Sequence, residues 1–326
     1  MTDSAISLSG VTKTFGATVA VQDLDLEVPR GAMYGFIGPN GAGKTTTIRI
    51  VMSIIFPDCG EVRVLGRRSA LEAKDRIGYL PEERGVYRKM RVAAFLRYVG
   101  QLKGMKGADA GREVTRWLQR VGLGEVAGKR CEELSKGMQQ KVQFVATILH
   151  RPELLILDEP FSGLDPVNMR LVRDLIREEH ERGTTVIFST HVMHQAEELC
   201  DHIVMIHDGS KRLDDGLRTI RERHEARLLE VEPIDPGADL ALVAGLDGVA
   251  GVERDHDRFH WKVGLAEGAA AQEVLARIVA ALPVARVELH RPSLEDVFVE
   301  IVTRSGGGSA SQLRDVLRGA EVRAAG

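Results

Sequence analysis

The 326 residues exceed what one compact domain usually needs and suggest a large domain followed by a smaller one. With 44% hydrophobic and 28% charged residues, the composition is that of an ordinary folded chain, neither disordered nor fibrous. A formal net charge of -3 argues against a chain that lives by neutralising nucleic-acid phosphates, so no nucleic-acid partner is expected.

The three cysteines, Cys59, Cys131 and Cys200, are far apart and form no C-x-x-C pair, a usage that fits reduced, buried thiols in a cytosolic protein better than a disulfide framework. Met1 to Gly10 lacks a basic start followed by an apolar stretch, and no segment approaches the roughly 18 consecutive apolar residues that span a bilayer. The expectation is a cytoplasmic chain that neither crosses a membrane nor carries a secretion signal. If it acts in transport, the pathway belongs to another polypeptide.

In chain order, Ile6 to Val28 alternates apolar and polar positions around Phe15-Gly16 and predicts antiparallel strands at the edge of a domain. Met33 to Ile37 is a short apolar strand that runs straight into a glycine-rich turn, and Leu154 to Leu157 and Thr185 to Phe188 are similar apolar runs. All are too short for buried helices and alternate with helical stretches, as in a parallel sheet covered on both faces. The fold class is therefore α/β. From Arg84 to Leu149 the pattern turns helical, with Val114, Trp117, Leu118 and Val121 on one face, and Val142, Val145, Ile148 and Leu149 on another.

A linker near Arg221 to Ala226 leads to a second pattern. Leu228 to Val231, Phe259 to Val263 and Val284 to Leu289 read as strands, and Val274, Leu275, Ile278, Val279 and Leu282 as a helical stripe. A last helix spans Leu294 to Val302, with Ser293 and Asp296 at capping-box spacing. The expected boundaries are a large domain over 1-222 with a helical subdomain at about 84-150, a small α+β domain over 223-303, and a Gly/Ser-rich mobile tail over 304-326.

Chemistry enters at Gly38-Pro39-Asn40-Gly41-Ala42-Gly43-Lys44-Thr45, which fits G-x-x-x-x-G-K-[ST] and stands after a strand and before the helical run beginning at Thr46. Glycines let the backbone curl until its N–H groups face phosphate oxygens, and the helix N-terminus adds partial positive charge. Lys44 is placed to neutralise β and γ phosphates, and Thr45 to offer its hydroxyl to Mg²⁺. Alone, the motif leaves every P-loop kinase, GTPase and ATPase open. Asp158 and Glu159 close the Leu154 to Leu157 strand, where the first can hold Mg²⁺ and the second can orient or deprotonate an attacking water.

Leu134-Ser135-Lys136-Gly137-Met138-Gln139-Gln140 resembles the signature of the ABC transporter ATP-binding subunits, and Ser162-Gly163-Leu164-Asp165 resembles the loop that follows their catalytic acid. His191 resembles the switch histidine, and Phe15 the aromatic residue on which adenine stacks. The resemblance covers about Ile6 to Arg221. It implies a P-loop NTPase core with a parallel sheet, antiparallel edge strands and a helical subdomain. It also implies ATP and Mg²⁺ as ligands, and a homodimer in which Ser135, Lys136, Gly137 and Met138 of one copy cover the γ-phosphate held by the other. Asp165 would sit at that dimer interface, and an integral membrane permease would be a separate partner, holding the chain to the inner face of the membrane.

The chain departs from the commonest pattern at Lys136, usually glycine, at Met138, usually glutamine, and at Glu82, which stands where a glutamine usually does. Glu82 is expected to sense the metal. Between Arg84 and Lys106 there are seven Lys and Arg and no Asp or Glu, in the region where the family meets its membrane subunit. With the ending Pro292-Ser293-Leu294-Glu295-Asp296-Val297-Phe298, these features resemble the ABC-2 type exporters of drugs and sodium. Two rivals remain at this point: a soluble ABC ATPase acting on ribosomes or nucleic acid, which usually fuses two nucleotide domains or inserts a long coiled coil, and a module that grips ATP without turning it over.

Overall fold

The computed structural model describes residues 4–83, 85–224, 228–235, 237–254, 260–290, 292–304 and 313. Arg84, Phe259, Ala226 and the Gly/Ser-rich tail from Ser305 lie outside the described residues, Leu313 excepted. The chain divides into two units, Met1–Arg218 with Leu294–Gly326, and Thr219–Ser293.

In the first unit, strands β1 (Ser4–Phe15) and β2 (Thr18–Pro29) form an antiparallel hairpin whose Phe15–Thr18 pair closes a two-residue turn. Strand β3 (Met33–Ile37) is buried at every residue and ends in the glycine turn that starts helix α1 (Lys44–Val51). Strand β4 (Cys59–Val64) joins the hairpin in the order β2-β1-β4. Then come β5 (Ile77–Leu80), the helices α2 (Val92–Leu102), α3 (Gly107–Arg120) and α4 (Lys136–Ile148), and β6 (Leu154–Asp158). Helix α5 (Pro166–Glu181), β7 (Thr185–Thr190), α6 (Met193–Leu199), β8 (His202–His207) and β9 (Ser210–Gly216) follow, and α7 (Leu217–Arg223) runs across the boundary into the second unit. Six strands align as β5-β6-β7-β3-β8-β9, all neighbours parallel except the β8–β9 edge pair.

Burial explains the layering. β3, β6 and β7 are buried along their whole length, as a parallel sheet covered on both faces demands. On one face α1 sends Ile48 and Val51 into a core shared with Ile6, Leu8 and Val11 of the antiparallel sheet and Ile156 and Ile187 of the parallel one. On the helical side, Val114, Trp117, Leu118 and Val121, and Val142, Val145, Ile148 and Leu149, are all buried, as their spacing predicts.

The second unit contains β10 (Leu228–Pro233), α8 (Ala241–Ala244), β11 (Val249–Arg254), β12 (Trp261–Leu265), α9 (Ala271–Ala281) and β13 (Val284–Leu289). Its antiparallel sheet has the order β11-β12-β10-β13, the βαββαβ topology of a ferredoxin-like unit. Leu229, Val231, Trp261 and Val263 meet Val274 and Ile278 of α9 in one core.

Four expectations change. Cys131 and Cys200 are buried as expected of inert thiols, but Cys59, at the start of edge strand β4, is exposed. The last helix, α10 (Leu294–Arg304), packs on α6 and belongs with the first unit, although its sequence position suggests the small domain. α7 is helical through Arg223, where a linker is expected from Arg221. Val279 is 51% exposed, so the stripe on α9 is narrower than its sequence suggests.

Candidate functional site

Three adjacent strands deliver the site. In the β3–β7 register Ile37 lies opposite Thr190, and in the β6–β7 register Asp158 lies opposite Ser189. Gly38, Glu159 and His191 therefore leave the sheet side by side at its carboxyl edge, where open α/β sheets bind ligands.

The loop Gly38 to Gly43 must be glycine at both ends. A Cβ on Gly38 would lie 2.1 Å from the Ile206 carbonyl oxygen, and one on Gly43, whose φ is 108°, would lie 2.4 Å from that of Ala20. Lys44 is buried, and its Nζ donates to the carbonyls of Gly38 at 2.7 Å and Pro39 at 3.0 Å. Burial pushes the Lys44 ammonium pKa down, while the carboxylates of Glu159, Asp158 and Glu82 push it up. A cleft of about 460 Å³ opens here, lined by Asn40, Gly41, Gly43, Lys44, Thr45 and Thr46 together with Glu82 and Glu159.

Asp158 is buried, and its Oδ1 accepts hydrogen bonds from Ser189 Oγ and, at 3.4 Å, Thr45 Oγ1. Its Oδ2 is buried with no protein partner. Burial raises the Asp158 carboxyl pKa, against the pull of the Ser189 and Thr45 hydrogen bonds. An unpaired anionic oxygen beside a hydroxyl fits Mg²⁺, a hard cation that takes one or two protein oxygens and fills its remaining positions with phosphate and water. Among the described residues no three His, Cys, Asp or Glu side chains converge as ligands.

Glu159 adopts φ 49°, a left-handed conformation that a non-glycine residue keeps only when its surroundings enforce it. Its backbone N–H donates to Ser189 O at 3.1 Å. Its Oε1 accepts the His191 backbone N–H at 2.9 Å and lies 2.7 Å from His191 Nδ1, and its Oε2 accepts Thr190 Oγ1 at 3.3 Å. The acid at the end of β6 and the histidine at the end of β7 thus form one hydrogen-bonded unit. Glu82, on the loop after β5, has its carboxyl pKa raised by burial first and then by the charges of Asp158 and Glu159.

The remaining predicted residues lie elsewhere. Ser135 caps α4, accepting the Met138 N–H at 3.3 Å, and with Lys136 is exposed. Asp165 caps α5, accepting N–H bonds from Asn168 at 2.9 Å and Val167 at 3.0 Å, and the Asn168 bonds hold its carboxyl pKa down. Gly137 faces Asn168 and Leu164, so the α4 start and the α5 start form one surface, with Val167 79% exposed on it. None of these residues lines the cleft of its own chain.

Phe15 is 51% exposed at the β1–β2 turn with the Lys13 ammonium 5.5 Å from its ring, and it too lies outside the cleft lining. The cleft wall includes residues the sequence reading passed over: Thr18, Val19 and Ala20 on the return strand, and Asp208 and Gly209. The last two carried a signal, since Asp-Gly directly after an apolar run marks a tight hairpin, and both have positive φ here. Gly209 N–H donates to Ala42 O at 2.9 Å, tying that hairpin to the phosphate loop.

A glycine turn between a buried strand and a helix, with an acid pair two strands away at the same edge of the sheet, defines a P-loop nucleotide site. The chain belongs to the family of ABC transporter ATP-binding proteins: residues 21–162 match the model of the ABC transporter family, and residues 216–302 that of the ATP-binding protein DrrA1-3-like C-terminal domain. The ABC transporter ATP-binding protein YhaQ of Bacillus subtilis (strain 168) is 38% identical over 297 residues, 91% of this chain and 98% of that one. The Nod factor export ATP-binding protein I of Paraburkholderia xenovorans (strain LB400) is 33% identical over 316 residues, covering 93% and 99%. The solved structure of an ATP binding subunit of an ABC transporter superposes with a TM-score of 0.63 at 30% identity, covering 67% of this chain and 92% of that one. The protein is accordingly an ATPase that powers transport and works with a membrane permease.

Proposed function

We propose that two copies of this chain close head to tail over ATP and drive export through a separate permease. One observation carries the dimer: Ser135, Lys136, Gly137, Met138 and Asp165 share a surface that does not line the chain's own phosphate cleft. Donors at the start of α4 have N–H groups and a partial positive charge suited to a γ-phosphate, and a second copy brings one to them. The DrrA-like C-terminal match and the Nod factor export relative support the direction of transport.

Within each site, Lys44 is placed to neutralise the β and γ phosphates, and the loop N–H groups from Asn40 to Thr46 to hold them. Thr45 and Asp158 would hold Mg²⁺, which supplies charge neutralisation on the phosphates. Glu159 orients and deprotonates the attacking water, and His191, bonded to Glu159, contacts the γ-phosphate and reports its loss. Glu82 lines the cleft beside Glu159, where it would sense the metal and the water, and Phe15 offers an exposed ring to adenine.

Among the described residues no helix is long and apolar enough to cross a membrane, and the reading places the chain on the cytoplasmic face, held by its permease. The basic stretch containing Arg88, Lys89 and Arg91 is the docking surface for that permease. A ribosome or nucleic-acid ATPase finds no support among the relatives, and Glu159 with His191 speaks against a non-hydrolysing module. The test is a Glu159→Gln variant given ATP and Mg²⁺, with mass measured by light scattering and nucleotide content by chromatography. A dimer holding about one ATP per chain is expected, and a nucleotide-free monomer overturns the proposal.

A further inference from the structure

The elements around the nucleotide cleft do not end with those that touch it. Helix α10 buries Leu294, Val297, Phe298, Val299 and Val302, and it packs on α6. All five are apolar and nearly free of solvent, so the helix is firmly seated. Two of its contacts lead back to the cleft. At its start, the Leu294 backbone N–H donates to the Glu197 carboxylate, an anion satisfying one of the free donors at the positive end of a helix. Glu197 belongs to α6, which begins only two residues after His191. One turn further on, the Phe298 ring meets the His207 ring edge-on, centroids 5.6 Å apart at 66°. His207 precedes Asp208 and Gly209, which line the cleft, and Gly209 donates to Ala42 of the phosphate loop.

From these contacts we infer that Glu197 and Phe298 are positioning residues for ATP hydrolysis. Glu197 ties α10 to the helix that follows His191, and Phe298 ties it to the hairpin that supports the phosphate loop. The Glu197 half rests on the reading of His191 as the γ-phosphate contact. The two halves predict different kinetics. Displacing α6 moves His191 relative to Glu159 and the terminal phosphate, a fault felt in turnover. Releasing the β8–β9 turn loosens the cleft wall and the Ala42 carbonyl, a fault felt in nucleotide binding.

The experiment uses the full chain and steady-state ATPase kinetics with MgATP, with a thermal melt for each variant. Glu197→Ala is expected to lower kcat at least about fivefold with KM within about twofold of wild type, a fraction of the roughly hundredfold that a fully misplaced catalytic geometry costs. Glu197→Gln, whose amide oxygen can still accept the Leu294 N–H, is expected to recover most of that loss, which a role confined to stability would not produce. Phe298→Ala is expected to raise KM at least about fivefold, and Phe298→Leu less. His191→Ala, measured alongside, separates the two ideas: a fully active His191→Ala overturns the reading of His191 and the Glu197 half with it. An inactive His191→Ala beside Glu197→Ala and Phe298→Ala that both match wild type overturns the present inference. Should Phe298→Ala fail to fold, the half-buried Glu197 pair decides.

Discussion

Asp158→Asn separates what the site costs the fold from what it contributes to function. Asp158 is buried, its Oδ2 has no protein partner, and burial raises its carboxyl pKa from the ordinary 3.8. A carboxyl whose pKa is higher folded than unfolded binds its proton more tightly in the native state. Its destabilising effect is therefore fully present above the folded pKa and is lost as pH falls below 3.8. Asparagine keeps an oxygen for Thr45 and Ser189 but carries no charge. Removing a buried, unsatisfied charge recovers on the order of 1–3 kcal/mol. With about 2–4 °C per kcal/mol for a domain of this size, nucleotide-free Asp158→Asn should melt several degrees above wild type at pH 7.5 in EDTA. The gain should shrink steadily toward pH 4. Saturating MgATP should reverse the order, since ligand at about 100 times its Kd stabilises the wild type by about 2.7 kcal/mol, and the variant, lacking the anionic oxygen, should gain little and hydrolyse nothing. A lower melting temperature for the nucleotide-free variant at pH 7.5 would refute the view that this carboxylate is an uncompensated charge awaiting a cation.

Gly43→Ala should abolish ATP binding, measured by calorimetry, because its Cβ would stand 2.4 Å from a backbone carbonyl at a φ of 108°. Glu82→Gln should retain more ATPase activity than Glu82→Ala, because the amide keeps an oxygen for metal and water; equal phosphate release from both would remove Glu82 from the mechanism. Reversing the charges of Arg88, Lys89 and Arg91 should impair co-purification with the permease while leaving ATP binding by the isolated chain within about twofold, and unchanged co-purification would count against that docking surface.

The sequence exposed those parts of the site whose chemistry is local in the chain. Gly38 to Thr45 bears its own strand, turn and helix, and Asp158-Glu159 and His191 each close an apolar run that can only be a buried strand. The register that sets these three ends side by side comes from pairing between separate segments, Asp158 with Ser189 and, far more distant in the chain, Ile37 with Thr190. For the same reason Thr18 to Ala20 and Ser189 escaped notice, since neither has a motif and both matter through what folds against them. Strand β11 was illegible because Val-Ala-Gly-Val-Glu-Arg at a sheet edge buries too little to alternate. Helix α10 was legible as a helix but not as a member of the first unit, because an amphipathic stripe states that a face must be covered and not which partner covers it.

That membership has a practical consequence. By its contacts the first unit takes in two pieces of chain, before Thr219 and after Ser293, although the match to the C-terminal domain family runs on through α10 to residue 302. A stop codon placed anywhere ahead of Leu294 therefore removes a helix that packs on α6 along with the small unit. To learn what the small unit does, residues 219–293 must be cut out and the ends rejoined by a short linker, leaving the final helix in the molecule.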